Sequence, residues 1–326
     1  MTRISIIMPV YNGAQRIKKS VNSILTQDFK DFELIIINDG STDNTAEICN
    51  DLAKKDSRIK VYHIENHGAS YARNLGILKS TAKYIGFVDS DDWVEPQMFG
   101  TLLNLMENND VQLVCCNFFN DTNNGFSENK QSVTYQQLKT KEEIYGSLYY
   151  ESGIGGYVWN KLFIKKYIKK PFDEKYAQCE DFLFVLHYIN SIEKMIYTTQ
   201  KMYHYIRESQ IQDFRYTERS ITLMDAYEDI LSEYKKNADG FTSDIQKHVL
   251  KNYLNFRARY KIIGDNNSFL KVKIDTGIRK YILRVLFDHK IRMVEKINII
   301  STYLFPKIVL KFKRKYINFR HTKGQW

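Results

Sequence analysis

The sequence is short of the features that would tie it to a disulfide, zinc or membrane-spanning architecture. Only four cysteines occur in its 326 residues (Cys49, Cys115, Cys116 and Cys179), without C-x-x-C spacing or a companion histidine pattern. They read as buried free thiols of a reducing compartment, and no zinc site is expected. Nowhere do 18 uncharged apolar residues stand in a row, so no membrane-spanning helix is expected. The opening MTRISIIMPVYN carries one positive charge and too short an apolar run for a signal peptide, which makes the cytoplasm the expected location. No G-x-G-x-x-G follows the first apolar run, which argues against a nicotinamide dinucleotide site. No G-x-x-x-x-G-K-[ST] is present, which argues against a P-loop NTPase.

What is present is an ordinary globular composition, 43% apolar, in a chain long enough for one large domain and an appendage. Charge is divided unevenly. Residues 251–326 hold 19 Lys and Arg against 4 Asp and Glu, a net of +15, whereas the whole chain is +10 and residues 1–250 are therefore −5. An acidic body with a basic tail points to two different partners.

Apolar runs alternate with helical patterns through the first half. ISIIMPV (4–10) reads as a strand buried on both faces, and FELIIIND (32–39), IKVYHI (59–64), KYIGFV (83–88) and VQLVCCNFF (111–119) read as four further strands. Between the first two, Ile17, Val21, Ile24 and Leu25 fall on one helix face. Such alternation predicts a parallel, doubly wound sheet, with ligands at the carboxyl ends of its strands. Asp39 and Asp89 both stand at such ends. The fourth run ends in DSDDW, three carboxylates within four positions, which repel one another unless a cation joins them.

Three stretches, PVYNG, NDGSTD and VDSDDW, stand at strand ends, with GASYARN between the last two. This set resembles the family-2 nucleotide-sugar glycosyltransferases over about residues 3–210. The resemblance implies a GT-A, Rossmann-like, mostly parallel doubly wound α/β sheet in a catalytic domain over 1–215, followed by a helical, basic region over 216–326. It implies that Pro9, Tyr11 and Asn12 border the nucleotide, that Asp39 accepts the uracil N3–H, and that Arg73 helps hold the donor. Asp89-Ser90-Asp91 would be the D-x-D that meets a metal and the donor ribose, with Asp92 turned to sugar hydroxyls on the acceptor side. A divalent ion between carboxylates and a diphosphate satisfies both, and Mn²⁺ or Mg²⁺ suits an all-oxygen site. The expected donor is a UDP-sugar; a dTDP-sugar presents the same N3–H. Taken alone, Asp39 would equally close a turn and Asp92 cap a helix near Pro96.

In the second half, Glu180-Asp181 precedes a helix with Phe182, Val185, Leu186 and Ile189 on its apolar face. The pair resembles the family's E-D motif, whose aspartate is the general base; Asp181 takes that role and Glu180 is the second candidate. The competing reading is that both complement the helix dipole. GGYVWNKLF (155–163) resembles a segment that floors the acceptor pocket, with Trp159 against a sugar ring and Lys161 at a phosphate of a lipid-linked acceptor; equally, Trp159 would be core and Lys161 solvated. In MYHYIRES (202–209), His204 would complete the metal shell and Arg207 contact the pyrophosphate, although a strand with outward polar residues explains both as well.

The expected function is inverting, metal-dependent transfer of one sugar from a nucleotide donor to a glycan hydroxyl. Its setting, implied by the resemblance, is capsule or exopolysaccharide assembly on an undecaprenyl-diphosphate-linked acceptor at the inner face of the membrane. No Q-x-x-R-W motif is present, which favours one sugar per encounter over polymer extrusion. A non-catalytic sugar-binding module is a rival, opposed by the intact Asp89, Asp91 and Asp181; a nucleotidyltransferase is another, opposed by the absence of a glycine- and arginine-rich phosphate loop. The basic, apolar tail fits anionic headgroups as a peripheral anchor. A helical packing layer or a homo-oligomer contact fits it equally, and no nucleic-acid module is present to make DNA or RNA a partner.

Overall fold

The structure, a computed structural model, describes residues 2–121, 133–149, 154–206, 218–263 and 267–306. The chain divides into two compact units, Met1–Gln210 and Ile211–Trp326.

The first unit begins with β1 (Ile4–Val10), α1 (Ile17–Leu25), β2 (Phe32–Asp39), α2 (Thr45–Lys55), β3 (Ile59–Ile64), α3 (Ala69–Lys79) and β4 (Tyr84–Phe87). The four strands pair in parallel in the order β3-β2-β1-β4. Every residue of β2 is buried, as a strand covered by helices on both faces requires. Ile17, Val21 and Ile24 of α1 are fully buried against one face of this sheet, where they join Ile4, Ile6 and Met8 in one core.

The unit continues with β5 (Trp93–Val94), α4 (Met98–Asn108), β6 (Leu113–Asp121), β7 (Tyr135–Leu138), α5 (Lys141–Tyr149), β8 (Lys161–Ile164), α6 (Glu180–Ile189) and β9 (Met195–Ile206). The sheet extends as β4-β8-β6-β9-β5, with β7 on β9. β8 lies antiparallel between β4 and β6, while β6 and β9 run parallel with register shifts between Cys116 and Phe118. The carboxyl ends of β1, β2 and β4 therefore share one edge, and the start of antiparallel β8 and the carboxyl end of β9, which runs with β6, lie along the same edge.

The second unit holds α7 (Glu218–Asn237), α8 (Thr242–Ile263), α9 (Ser268–Phe287) and α10 (Met293–Leu304). α8 packs against the other three. Among the described residues no helix is long and apolar enough to cross a membrane.

Candidate active site

The loops after β1 and β2 are knitted together by side-chain caps. Asn12, with φ 49°, occupies the left-handed region that asparagine tolerates. Its N–H donates to Ser41 Oγ at 2.9 Å, and its Oδ1 accepts from Thr42 N–H at 2.8 Å. Gly13 N–H donates to Thr45 Oγ1 at 2.9 Å; a Cβ on Gly13 would stand 2.6 Å from Val10 Cγ2, so no side chain fits there. Pro9 lies in β1 opposite Ile37, and Tyr11 is left 53% exposed at the edge of this loop pair. Asp39 is buried, and its two oxygens accept the N–H groups of His67 and Gly68, each at 2.8 Å, at the start of α3. Gly40, with φ 68°, turns the chain away where a Cβ would stand 2.6 Å from the Asn66 backbone nitrogen.

The three carboxylates of DSDD have three different surroundings. Asp89 accepts from Arg73 Nη2 at 3.1 Å, its N–H donates to Tyr203 Oη at 3.2 Å, and its carbonyl accepts from Ser20 Oγ. Asp91 is the outward one, 49% exposed, with Arg16 Nη1 at 3.7 Å. Partial desolvation and the neighbouring Asp89 charge raise its carboxyl above the usual carboxylate range. Asp92 turns inward: it accepts from Ile206 N–H at 2.8 Å and from Tyr203 Oη at 2.7 Å. Burial, and then Asp89, push it up to about 8. The expectation that Asp92 meets sugar hydroxyls is corrected by its burial at 2% exposure, where it ties the DSDD turn to β9. Ser90, half-buried, stays at the loop edge beside Gly13.

The carboxylates of Asp89 and Asp91 are all-oxygen groups of the kind that can hold a hard divalent ion. Among the described residues no group of three or more ligating side chains is assembled. Two carboxylates completed by water and substrate oxygens are the usual arrangement for such an ion. His204 does not join them. It is buried between the rings of Trp93 and Phe119, with Nε2 at 2.7 Å from Glu95 Oε1 and Nδ1 at 3.0 Å from Asp121 Oδ2. With a carboxylate at each ring nitrogen, neither is free for a metal, which corrects its place in the metal shell. Arg207 lies outside the described residues.

Arg73 is the hub of the site. It projects from α3, is 5% exposed, and its guanidinium reaches carboxylates from two distant motifs. Nη1 donates to Glu180 Oε1 at 3.2 Å and lies 3.0 Å from Asp181 Oδ1, while Nη2 holds Asp89. Burial opposes its charge, but Asp181, Asp89 and Glu180 outweigh burial and hold the guanidinium above its ordinary pKa. Asp181 is the second residue of α6, after Glu180 and the N-cap Cys179, a non-glycine residue at φ 64°. Such left-handed backbone costs energy and gathers at working sites. Burial pushes the Asp181 carboxyl up to about 7 against the pull of Arg73, with Glu180 and Asp89 adding to the rise. Among the described residues, Asp181 Oδ1 and Arg73 Nε are buried polar atoms with no hydrogen-bond partner. Such orphans are rare, and a ligand hydroxyl or oxygen would satisfy them.

Residues 5–172 match the sequence profile of glycosyl transferase family 2. The chain belongs to that family. It is 34% identical over 207 residues to the Bacillus subtilis protein named uncharacterized glycosyltransferase EpsJ, covering 62% of this chain and 60% of that one. It is 30% identical over 256 residues to glycosyltransferase GlyA of Streptococcus pneumoniae serotype 4, covering 76% of this chain and 36% of GlyA. The matched part of the chain thus spans at most about 60% of the length of these relatives. Among solved structures, S. aureus TarS 1-349 in complex with UDP-GlcNAc superposes with TM-score 0.68 at 18% identity, over 100% of this chain and 93% of that one. The mannosyltransferase PcManGT of Pyrobaculum calidifontis, in complex with GDP-Man and Mn²⁺, superposes with TM-score 0.52 at 14% identity, over 94% and 88%. These likenesses are of fold, and the fold is GT-A.

Within this family-2 unit the 155–163 segment is built differently from its expected role. Trp159 is 3% exposed, stacked on Tyr203 at 4.3 Å and on Tyr157 at 4.8 Å between ring centroids. It is core, and the solvent-facing ring of the segment is Tyr157, 46% exposed. Lys161 is fully buried. Its Nζ donates to the carbonyls of Ile154, Gly155 and Tyr157 and to Asn160 Oδ1, at 2.7 to 2.9 Å. It is therefore neither solvated nor at an acceptor phosphate, and it instead pins the loop whose Val158 N–H bonds Asp181. Lys161→Met is expected to cost about 3 kcal/mol of stability, because it strands three carbonyls inside the protein. Urea denaturation followed by circular dichroism measures this; a loss under about 1 kcal/mol would show that water replaces the ammonium.

Proposed function

We propose that the chain is an inverting, metal-dependent glycosyltransferase that moves a single sugar from a UDP-sugar to a hydroxyl of a glycan acceptor. The observation that carries this reading is the unsatisfied, buried Asp181 oxygen, joined through one arginine to the Asp89 of the D-x-D. A buried carboxylate whose Oδ1 accepts no hydrogen bond, held beside a donor-binding carboxylate, fits an incoming hydroxyl. In that mechanism Asp181 takes the acceptor proton as its oxygen bonds to the sugar C1. The bond from C1 to the diphosphate breaks, and its electron pair leaves with the nucleoside diphosphate. Mn²⁺ or Mg²⁺, held by Asp89 and Asp91, would neutralise the charge that grows on the leaving group. Arg73 keeps Asp89 and Asp181 in fixed relation, and its spare Nε–H suits a diphosphate oxygen.

The base of the donor is read at Asp39. Each of its oxygens has one lone pair taken by a backbone N–H, which leaves capacity for the N3–H of uracil or thymine. Tyr11, exposed beside it, suits the face of the ring. The complexes of TarS with UDP-GlcNAc and with UDP support a UDP-sugar, and the Mn²⁺ of the PcManGT complex supports a divalent ion. The proposed acceptor is an undecaprenyl-diphosphate-linked glycan of capsule or exopolysaccharide assembly, met at the inner face of the membrane.

A screen of nucleotide-sugars, read as released nucleoside diphosphate with Mn²⁺ or with EDTA, tests the whole reading. UDP release is expected from one UDP-sugar and to fall at least about tenfold in EDTA. Asp91→Asn should weaken Mn²⁺-dependent UDP binding by about tenfold or more, about 1.4 kcal/mol, in calorimetry. Full turnover in excess EDTA would remove the metal from the mechanism, and release from no donor would leave a binding module.

A further inference from the structure

Most of the exposed large apolar side chains among the described residues lie within 269–305, on two helices of the second unit. In α9, Phe269, Val272, Leu283 and Phe287 are each more than 60% exposed. Their spacing puts all four on one stripe, opposite Leu270, Ile274, Ile278 and Tyr281, which face the unit's core. In α10, Met293, Ile297, Ile300 and Leu304 recur at i, i+4, i+7 and i+11, and all four are exposed. Ile299 and Thr302, the buried residues of that helix, lie on its other side. Leaving two such stripes in water is costly, and exposed apolar helix faces of this kind mark interaction sites.

The same stretch is basic. Residues 268–305 contain eight Lys and Arg against three Asp and Glu. Lys271, Arg279, Arg284, Lys290 and Arg292 are exposed beside the stripes. We infer that α9 and α10 form a docking surface for an anionic lipid bilayer. Apolar side chains would enter the headgroup–acyl boundary, while the lysine and arginine stems extend along it and leave their charges among the phosphates. A second copy of this chain fits less well, because a two-fold contact sets the same patch against itself and so brings basic residues to basic residues. The inference rests on the proposed lipid-linked acceptor for its biological sense; the surface itself rests on the second unit alone.

The test is co-sedimentation of the full chain with vesicles of phosphatidylglycerol and phosphatidylcholine, or of phosphatidylcholine alone. Strong binding is expected only to the anionic vesicles, weakening as salt rises. Ile297→Glu and Phe287→Glu, both at exposed positions, should each lower the partition coefficient at least about tenfold. Their circular dichroism and their Mn²⁺–UDP calorimetry should match the unaltered chain. Equal binding to both vesicle types, or unchanged partition in both variants, would overturn the inference. So would a dimer, seen by light scattering, that the variants dissolve while vesicle binding persists, since the face would then belong to a second copy. Loss of UDP binding by the unaltered chain would count against the glycosyltransferase reading alone.

Discussion

Asp181→Asn is expected to slow sugar transfer by about two to four orders of magnitude, the usual contribution of a positioned base. Asparagine keeps the size and one acceptor oxygen of the side chain but cannot take a proton. The donor, held by the loops after β1 and β2 and by Asp89 and Asp91, should bind as before. Release of UDP from the donor found by the screen measures the first effect, and calorimetry of UDP with Mn²⁺ measures the second. Should affinity collapse together with rate, Asp181 belongs to the donor site or to the scaffold. Should Glu180→Gln produce the larger loss, the two carboxylates exchange roles.

The same residue sets a pH dependence. Burial raises the Asp181 carboxyl to about 7, so acid fills its proton site and removes the base. The ratio kcat/KM should therefore fall about tenfold per pH unit below about 7 and level off above it. The Asn variant should lack this acid limb. A flat profile from pH 5 to 8 in the unaltered enzyme would mean that proton removal is not part of the rate.

The parts of this fold that were readable are those that local pattern controls. β1 and β2 lie where the near-continuous apolar runs 4–10 and 32–39 place them, because strands covered on both faces need no polar alternation, and β3 lies on the run 59–64, with Lys60 and His63 exposed at the sheet edge. β8 stayed hidden, since it is four residues long and opens with a lysine, a residue type that ordinarily signals solvent. The site shows the same divide. The strand-end motifs announce Asp39, Asp89 and Asp91, but which carboxylate faces outward depends on partners far along the chain. Asp92 is turned inward by Tyr203, 111 residues away, and His204 is filled by Glu95, 109 residues away. Lys161 was hard to place for another reason: its partners are backbone carbonyls, whose direction no side-chain pattern records. Tyr203 carried one usable signal, the alternation of MYHYI, which puts it and Tyr205 on the face that meets Trp159.

Arg73→Met is expected to destabilise the first unit by about 3–5 kcal/mol, the cost of removing one partner from a buried ion pair. Three carboxylates converge on this guanidinium, which is 6% exposed at its side chain, so its loss leaves Asp89, Glu180 and Asp181 repelling one another with no cation between them. The carboxylates can relieve that repulsion only by taking up protons. Asp181, already raised to about 7 by burial, then rises further above the unfolded value, about 4 for a carboxyl. A carboxyl raised on folding binds more protons in the native than in the unfolded state, so its contribution is present at low pH and is lost as pH rises through the folded pKa. The variant should therefore be more stable at pH 5 than at pH 8, by a wider margin than the unaltered chain. Urea unfolding at the two pH values, followed by circular dichroism, measures both effects. Arg73→Lys separates charge from geometry: one ammonium supplies a positive charge but not the planar fork that reaches both Asp89 and the Glu180-Asp181 pair. It should recover part of the stability and little of the transfer rate. Wild-type stability at both pH values in Arg73→Met would mean that water or a bound ion substitutes for the guanidinium, and that Arg73 does not join the D-x-D to the base.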